Sequence, residues 1–160
     1  MKHSRLIVVV LAIFVSGLLC LELLAQVPDP IIGTWELNLA KSKFASGPPP
    51  KTSTRTFVQD GVQLKFTNRG IDADGKSYLV QFTARYDGKD YPLLGSTNSD
   101  TIMLKRIDRF TTESIQKKGG KVVWTNKRVV SADGKTLTLT AQGKDAQGKP
   151  ATNVLVFDKK

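Results

Sequence analysis

The chain has 160 residues, a net charge of +10, one cysteine and one histidine. Both of those residues, Cys20 and His3, lie near the N-terminus. The rest of the chain therefore offers no disulfide, no Ser-His-Asp or Cys-His arrangement, and no histidine to hold zinc or haem. Neither catalysis nor a cofactor is expected, and residues 26–160 are long enough for one domain with its own core.

The N-terminal segment has a charged head, Lys2, His3 and Arg5, followed by the apolar run Leu6 to Leu21. Leu23-Leu24-Ala25 supplies a small-residue cut site before Gln26. That layout is a secretory signal peptide, and the apolar run is short for a membrane span, which needs roughly 20 residues. The expectation is a signal peptide over 1–25, cleavage at Ala25/Gln26 and export to the periplasm or beyond, with retention as an anchor the alternative. Cleavage removes Lys2, Arg5 and Glu22 and lowers the net charge to +9. Positive charge attracts polyanions and anionic membranes. Here, however, Lys76, Lys89, Lys118, Lys121, Lys135, Lys144 and Lys149 are spread through turns. No nucleic-acid site is expected from such scatter. An anionic envelope surface remains the one macromolecular partner the charge would suit, and the domain is expected to be a monomer.

After "GTWELN" (Gly33 to Asn38) comes a proline-rich excursion, Leu39 to Thr52, which is either a lid over a barrel mouth or a plain connection. Turn dipeptides then recur at Asp60-Gly61, Asp74-Gly75, Asp87-Gly88, Gly119-Gly120 and Asp133-Gly134, with a longer turn at Asp145 to Gly148. Tight hairpins use such pairs because their central residues need positive φ. Between the turns apolar residues alternate with polar ones: Val62, Leu64 and Phe66; Tyr78, Val80, Phe82, Ala84 and Tyr86; Leu137, Leu139 and Ala141. No stretch keeps a helical period. The pattern predicts an all-β fold, a single antiparallel up-and-down barrel of about eight to ten strands, since closure removes the edges of so long a meander. Tyr91 to Asp100 is a second irregular stretch that could rim an opening. "ADGK" at Ala73 and again at Ala132 is read as repeated turn chemistry rather than duplication.

The Gly33-x-Trp35 pair at the head of the first strand resembles the G-x-W signature of lipocalins and fatty-acid-binding proteins (calycins). "GTWELNLAKSKFASGPPPK", "YDGKDYPLLG" and "RVVSADGKTLTLT" also resemble a group of small secreted bacterial proteins. The calycin resemblance implies a barrel closed at its base by Trp35, with an arginine from a late strand lying across the indole, Arg128 first and Arg106 second. It implies a small ligand within the barrel. The chain departs from those families in having proline-rich sequence where fatty-acid-binding proteins carry a helical pair. It also lacks the C-terminal helix and disulfide of many lipocalins.

Carboxylates give no better case for chemistry. Asp72 and Asp74, like Asp87 and Asp90, sit in turns that aspartate caps routinely, and Glu113 alternates with Thr111 and Ile115 as a solvated residue does. Binding is the stronger expectation: a small apolar or amphipathic molecule, a lipid or fatty acid, enclosed by inward side chains. The candidate ligand-binding residues are Trp35, Phe66, Tyr78, Phe82, Tyr86, Arg106, Trp124 and Arg128. Arg106 and Arg128 fall in phase with apolar faces, and a buried charge must find a partner. Either would suit a carboxylate or phosphate, or be held by an aromatic ring or an internal carboxylate instead. A solidly filled barrel acting through its basic exterior is the alternative.

Overall fold

The computed structural model describes residues 28–160 apart from Ala146. The expected export segment and its cut site lie outside the described residues. Ten strands follow one another: β1 (Gly33–Leu37), β2 (Thr52–Asp60), β3 (Gln63–Ile71), β4 (Ser77–Ala84), β5 (Asp90–Pro92), β6 (Thr101–Arg106), β7 (Thr111–Lys118), β8 (Lys121–Val130), β9 (Thr136–Lys144) and β10 (Pro150–Lys159). All pairings are antiparallel, in the order β4-β3-β2-β1-β10-β9-β8-β7-β6-β5. The expected meander is present, and the expected dipeptides fall at or between strand ends, although the β6–β7 turn over residues 107–110 contains none of them. Gly119 and Gly120, at φ of +55° and +76°, form the two-residue turn that joins β7 to β8.

The meander rolls up because its first and last strands pair, with Trp35 opposite Lys159 and Leu37 opposite Phe157. The two sheet edges, β4 and β5, then meet at a single bridge. Gln81 and Leu94 exchange backbone hydrogen bonds of 3.0 and 2.9 Å. The ladder stops there because β5 has only three residues and ends in Pro92, which has no N–H to donate. The cylinder is thus nearly closed rather than fully sealed. Next to the bridge, Gly95 (φ +76°) runs so close beneath β4 that a Cβ there would overlap the Leu79 carbonyl oxygen.

The floor lies at the end where β1 begins and β10 ends. Trp35, Phe57, Leu137 and Phe157 are fully buried there beside Ile31 and Ala84. The Trp35 Nε1–H donates to the Ile31 carbonyl at 2.8 Å, so the one polar atom of the indole is satisfied. Burying a side chain of this size removes about 150–250 Å² from water, worth about 4–6 kcal/mol at about 25 cal/mol per Å². The cation over this ring is Lys159, 5.0 Å from the ring centre, in place of the expected arginine. The register explains the change: Lys159 is the direct cross-strand neighbour of Trp35, whereas Arg128 on β8 pairs with β7 and β9.

Two positions depart from simple alternation. Val62 belongs to the β2–β3 turn rather than to the inner face of β3, and is exposed. Val122 is also exposed, because Gln116 pairs with Trp124 and Lys117 with Val122, so Val123 bulges and the inward phase restarts at Trp124.

The proline-rich excursion is a tied connection. It begins with the 3₁₀ turn Leu39–Lys41, capped by the Asn38 side chain, and pairs Lys43 with Val154 on β10. The Asn153 side-chain Oδ1 then accepts from the Ala45 and Ser46 backbone amides at 2.7 and 3.1 Å.

Two variants test this description by urea denaturation. Trp35→Ala should cost about 3–5 kcal/mol, the usual loss for emptying a large aromatic site. Gly95→Ala should cost about 2 kcal/mol or more, and clearly more than Gly88→Ala. Both glycines have positive φ, but only Gly95 lies against a backbone carbonyl. Equal costs for the two would show that the β4–β5 contact is not what Gly95 serves.

Candidate ligand-binding site

Above the floor the inward side chains change character along each strand. On β2 the inner face runs Phe57, Arg55, Ser53 from floor to mouth; on β3 it runs Leu64, Phe66, Asn68; on β8, Val130, Arg128, Asn126, Trp124. Apolar residues fill the lower half, and the upper half encloses a cavity of about 260 Å³. The filled-barrel alternative therefore does not describe the interior.

Arg55 and Arg128 both line this cavity, and neither takes part in a salt bridge among the described residues. Arg128 is 5% exposed, and its Nη1 donates to Ser114 Oγ at 3.0 Å. The Arg55 guanidinium lies 4.4 Å from the centre of the Phe157 ring. The Nε of each arginine is buried without an acceptor. Burial pulls Arg55 down to about 9, helped by the positive charge of Arg128 and opposed by Tyr78. Burial likewise pulls Arg128 down to about 10, opposed by Tyr86. Both stay protonated at neutral pH, so the interior holds two positive charges in a medium that penalises each.

Three of the neighbouring side-chain oxygens are already engaged by protein donors. Ser114 Oγ accepts from Arg128 and from Asn126 Nδ2 (3.2 Å). Asn68 Oδ1 accepts from Ser53 Oγ at 2.8 Å, and Gln116 Oε1 from Ser99 Oγ at 3.0 Å. These three oxygens already accept from protein donors, while the two arginine Nε–H groups have no acceptor. In the same cavity Phe66 and Phe82 stack with ring centres 4.7 Å apart, and Trp124, Ile102 and Leu155 add further apolar lining. Trp124 fits tightly because Gly143 leaves room: a Cβ at that position would come within 2.5 Å of the indole ring.

Of the eight residues singled out from sequence, Phe66, Phe82, Trp124 and Arg128 line the cavity. Trp35 is the floor beneath it, with no exposed surface. Tyr78 lies at the mouth with its hydroxyl donating to the Thr52 carbonyl at 3.2 Å, outside the cavity wall. Tyr86 and Arg106 lie under the floor. Arg106 forms an ion pair with Asp29 and stacks 4.3 Å from the Tyr86 ring centre. Burial and the charge of Asp29 push the Tyr86 phenol up to about 12, with Arg106 acting in the opposite sense. Arg106 is thus held by an internal carboxylate and an aromatic ring. Sequence reasoning missed Arg55, Asn68, Gln116 and Asn126, although Arg55 lies two residues before Phe57 and Asn68 two after Phe66. A polar side chain in phase with core residues on a strand was the available signal.

No family model and no curated protein matches the chain. Among solved structures it is similar to zebrafish ileal bile acid-binding protein in complex with cholic acid, at a TM-score of 0.55 and 15% identity over 82% of this chain and 99% of that one. Lobster apocrustacyanin A1 gives a TM-score of 0.46 at 13% identity, over 84% of this chain and 63% of that one. Apocrustacyanin C2 gives 0.45 at 14% identity, over 84% and 64%. At such identities the bile acid-binding protein likeness shows the fold alone: an antiparallel calycin-type barrel, as the G-x-W resemblance implies.

An unpaired buried charge destabilises, and replacing it by an apolar side chain of similar length is neutral or stabilising by about 1–4 kcal/mol. Arg128→Met should therefore raise stability at neutral pH. The folded-state value of Arg128, about 10, lies below its ordinary one, so the unfolded chain binds more protons in the window above about pH 10. Wild-type stability gains as pH rises through that window. The advantage of Arg128→Met is thus full at neutral pH and shrinks above about pH 10. Urea titrations of both proteins at stepped pH check this; a variant less stable than wild type at pH 7 would contradict it.

Proposed function

We propose that this chain is an exported, non-catalytic binding protein whose barrel holds one small anionic amphipathic molecule. Its acidic head meets Arg55 and Arg128, and its apolar part lies against Phe66, Phe82 and Trp124. The observation that carries this reading is the pair of interior guanidiniums without a carboxylate partner. In a medium that excludes water, such charges are compensated by an anion, and guanidiniums bind carboxylate and phosphate in a fixed two-point geometry. The apolar side supplies affinity by burial, at about 0.8 kcal/mol per methylene group. The likeness to a bile acid-binding protein crystallised with cholic acid supports the use of such a barrel for an acidic, largely apolar ligand. The charged-head, apolar-run and small-residue layout of the N-terminal sequence supports export.

Trp124 in the cavity wall provides an intrinsic fluorescent reporter. Titration with a medium-chain carboxylate should change its emission saturably. Arg55→Met and Arg128→Met should each weaken binding about ten-fold or more, the loss of one charge-assisted hydrogen-bonded contact. Arg106→Ala should leave the affinity unchanged, since Asp29 and Tyr86 hold that side chain below the floor. Equal binding by wild type and both interior variants, or weakening by Arg106→Ala alone, would move the ligand out of the cavity.

A further inference from the structure

The size and charge of the cavity define the acid more narrowly than an amphipathic anion. Its volume of about 260 Å³ lies below the roughly 300–1,000 Å³ of most small-molecule pockets and so favours a small ligand. The charge count is equally restrictive. Two protonated guanidiniums face the space and no carboxylate faces them. A ligand with one negative charge would leave one buried positive charge uncompensated. The surplus of donors points the same way. Each Nε–H lacks an acceptor, while Ser114 Oγ, Asn68 Oδ1 and Gln116 Oε1 are already used by protein donors. The missing partner is a compact group with several acceptor oxygens and two charges.

Building on the interior-binding reading above, we propose that the ligand is a small phosphate monoester. Its phosphoryl oxygens bridge Arg55 and Arg128, and its short organic part, best a single ring, lies between the Phe66–Phe82 stack and Trp124. A phosphate monoester carries a charge near −2 above its second pKa of about 6 and presents three terminal oxygens to donors approaching from two sides. A monocarboxylate matches neither the charge nor the number of donors.

The test is calorimetric titration of the purified protein with phenyl phosphate, benzenesulfonate, benzoate and decanoate at pH 7.5 and pH 5. Phenyl phosphate is expected to bind at least ten-fold tighter than either aromatic monoanion at pH 7.5. It should weaken about ten-fold at pH 5, where only a minor fraction remains dianionic, while benzenesulfonate is unaffected by the change. Arg55→Met and Arg128→Met should each abolish the preference for phosphate. Arg55→Lys should keep the pH dependence but bind more weakly, since a lysine keeps the charge and loses the two-point fork. Benzoate or decanoate binding as tightly as phenyl phosphate would overturn this assignment and leave interior binding of an acid intact. Phosphate binding unchanged in both methionine variants would place it on surface lysines and also overturn the assignment. Absence of heat with every probe would overturn both readings.

Discussion

The antiparallel pairing of β1 with β10 joins the two ends of a meander that would otherwise be a ten-stranded sheet with a solvent-facing core. Once Trp35 lies opposite Lys159 and Leu37 opposite Phe157, the inner faces of all the long strands turn toward one axis. The floor forms at the end where β1 begins and β10 finishes. Trp35 then has Phe57, Leu137 and Phe157 around it, and its indole N–H finds the Ile31 carbonyl in the segment leading into β1. The Asp29–Arg106 pair ties that same segment to the end of β6. Packing, hydrogen bonding and an ion pair therefore all secure one end of the barrel.

A floor so well filled frees the upper half from a structural duty. Arg55, Asn68, Gln116, Asn126 and Arg128 occupy positions where aliphatic side chains would pack and stabilise. Keeping them costs stability, because polar groups are desolvated there and the Nε of each arginine is left without a partner. Natural chains tolerate such costs mainly where function requires them. The physical division is between a lower storey that holds the fold and an upper storey that is electrically unfinished. On the proposed function, an anion completes the second without disturbing the first.

Much of the fold was legible because hairpin sequences carry their own punctuation. Gly119-Gly120 and the Asp-Gly pairs mark turns by the φ they require, and runs such as Leu137, Leu139 and Ala141 show which face is inward. Closure was legible only as an argument about edges. That β5 would stop at Pro92, leaving β4 and β5 held by one bridge, depends on a loop path that no periodicity encodes. Register also escapes a one-dimensional reading. Lys159 lies over Trp35 because β10 returns to β1, and Val122 leaves the inner face because Val123 bulges. The site was half legible for a related reason. Large aromatics in phase with a core face, Phe66, Phe82 and Trp124, were readable as wall. Arg106 and Arg128 read alike in sequence, and only the position of Asp29 separates the paired one from the unpaired one. Arg55 was overlooked because a charged residue within a threonine-rich strand looks like surface until Phe57 fixes its phase.

The central claim is that Arg55 and Arg128 are charged, with buried Nε atoms that lack a partner and await an anion, whereas Arg106 already has one. NMR of the protein labelled with ¹⁵N in its arginine side chains observes each Nε–H directly. The account predicts two slowly exchanging Nε–H signals, assigned to Arg55 and Arg128 by substitution, that shift on addition of an anionic ligand while the Arg106 signal stays fixed. Fast exchange at Arg55 and Arg128, or ligand-induced shifts confined to Arg106 and surface arginines, would contradict it.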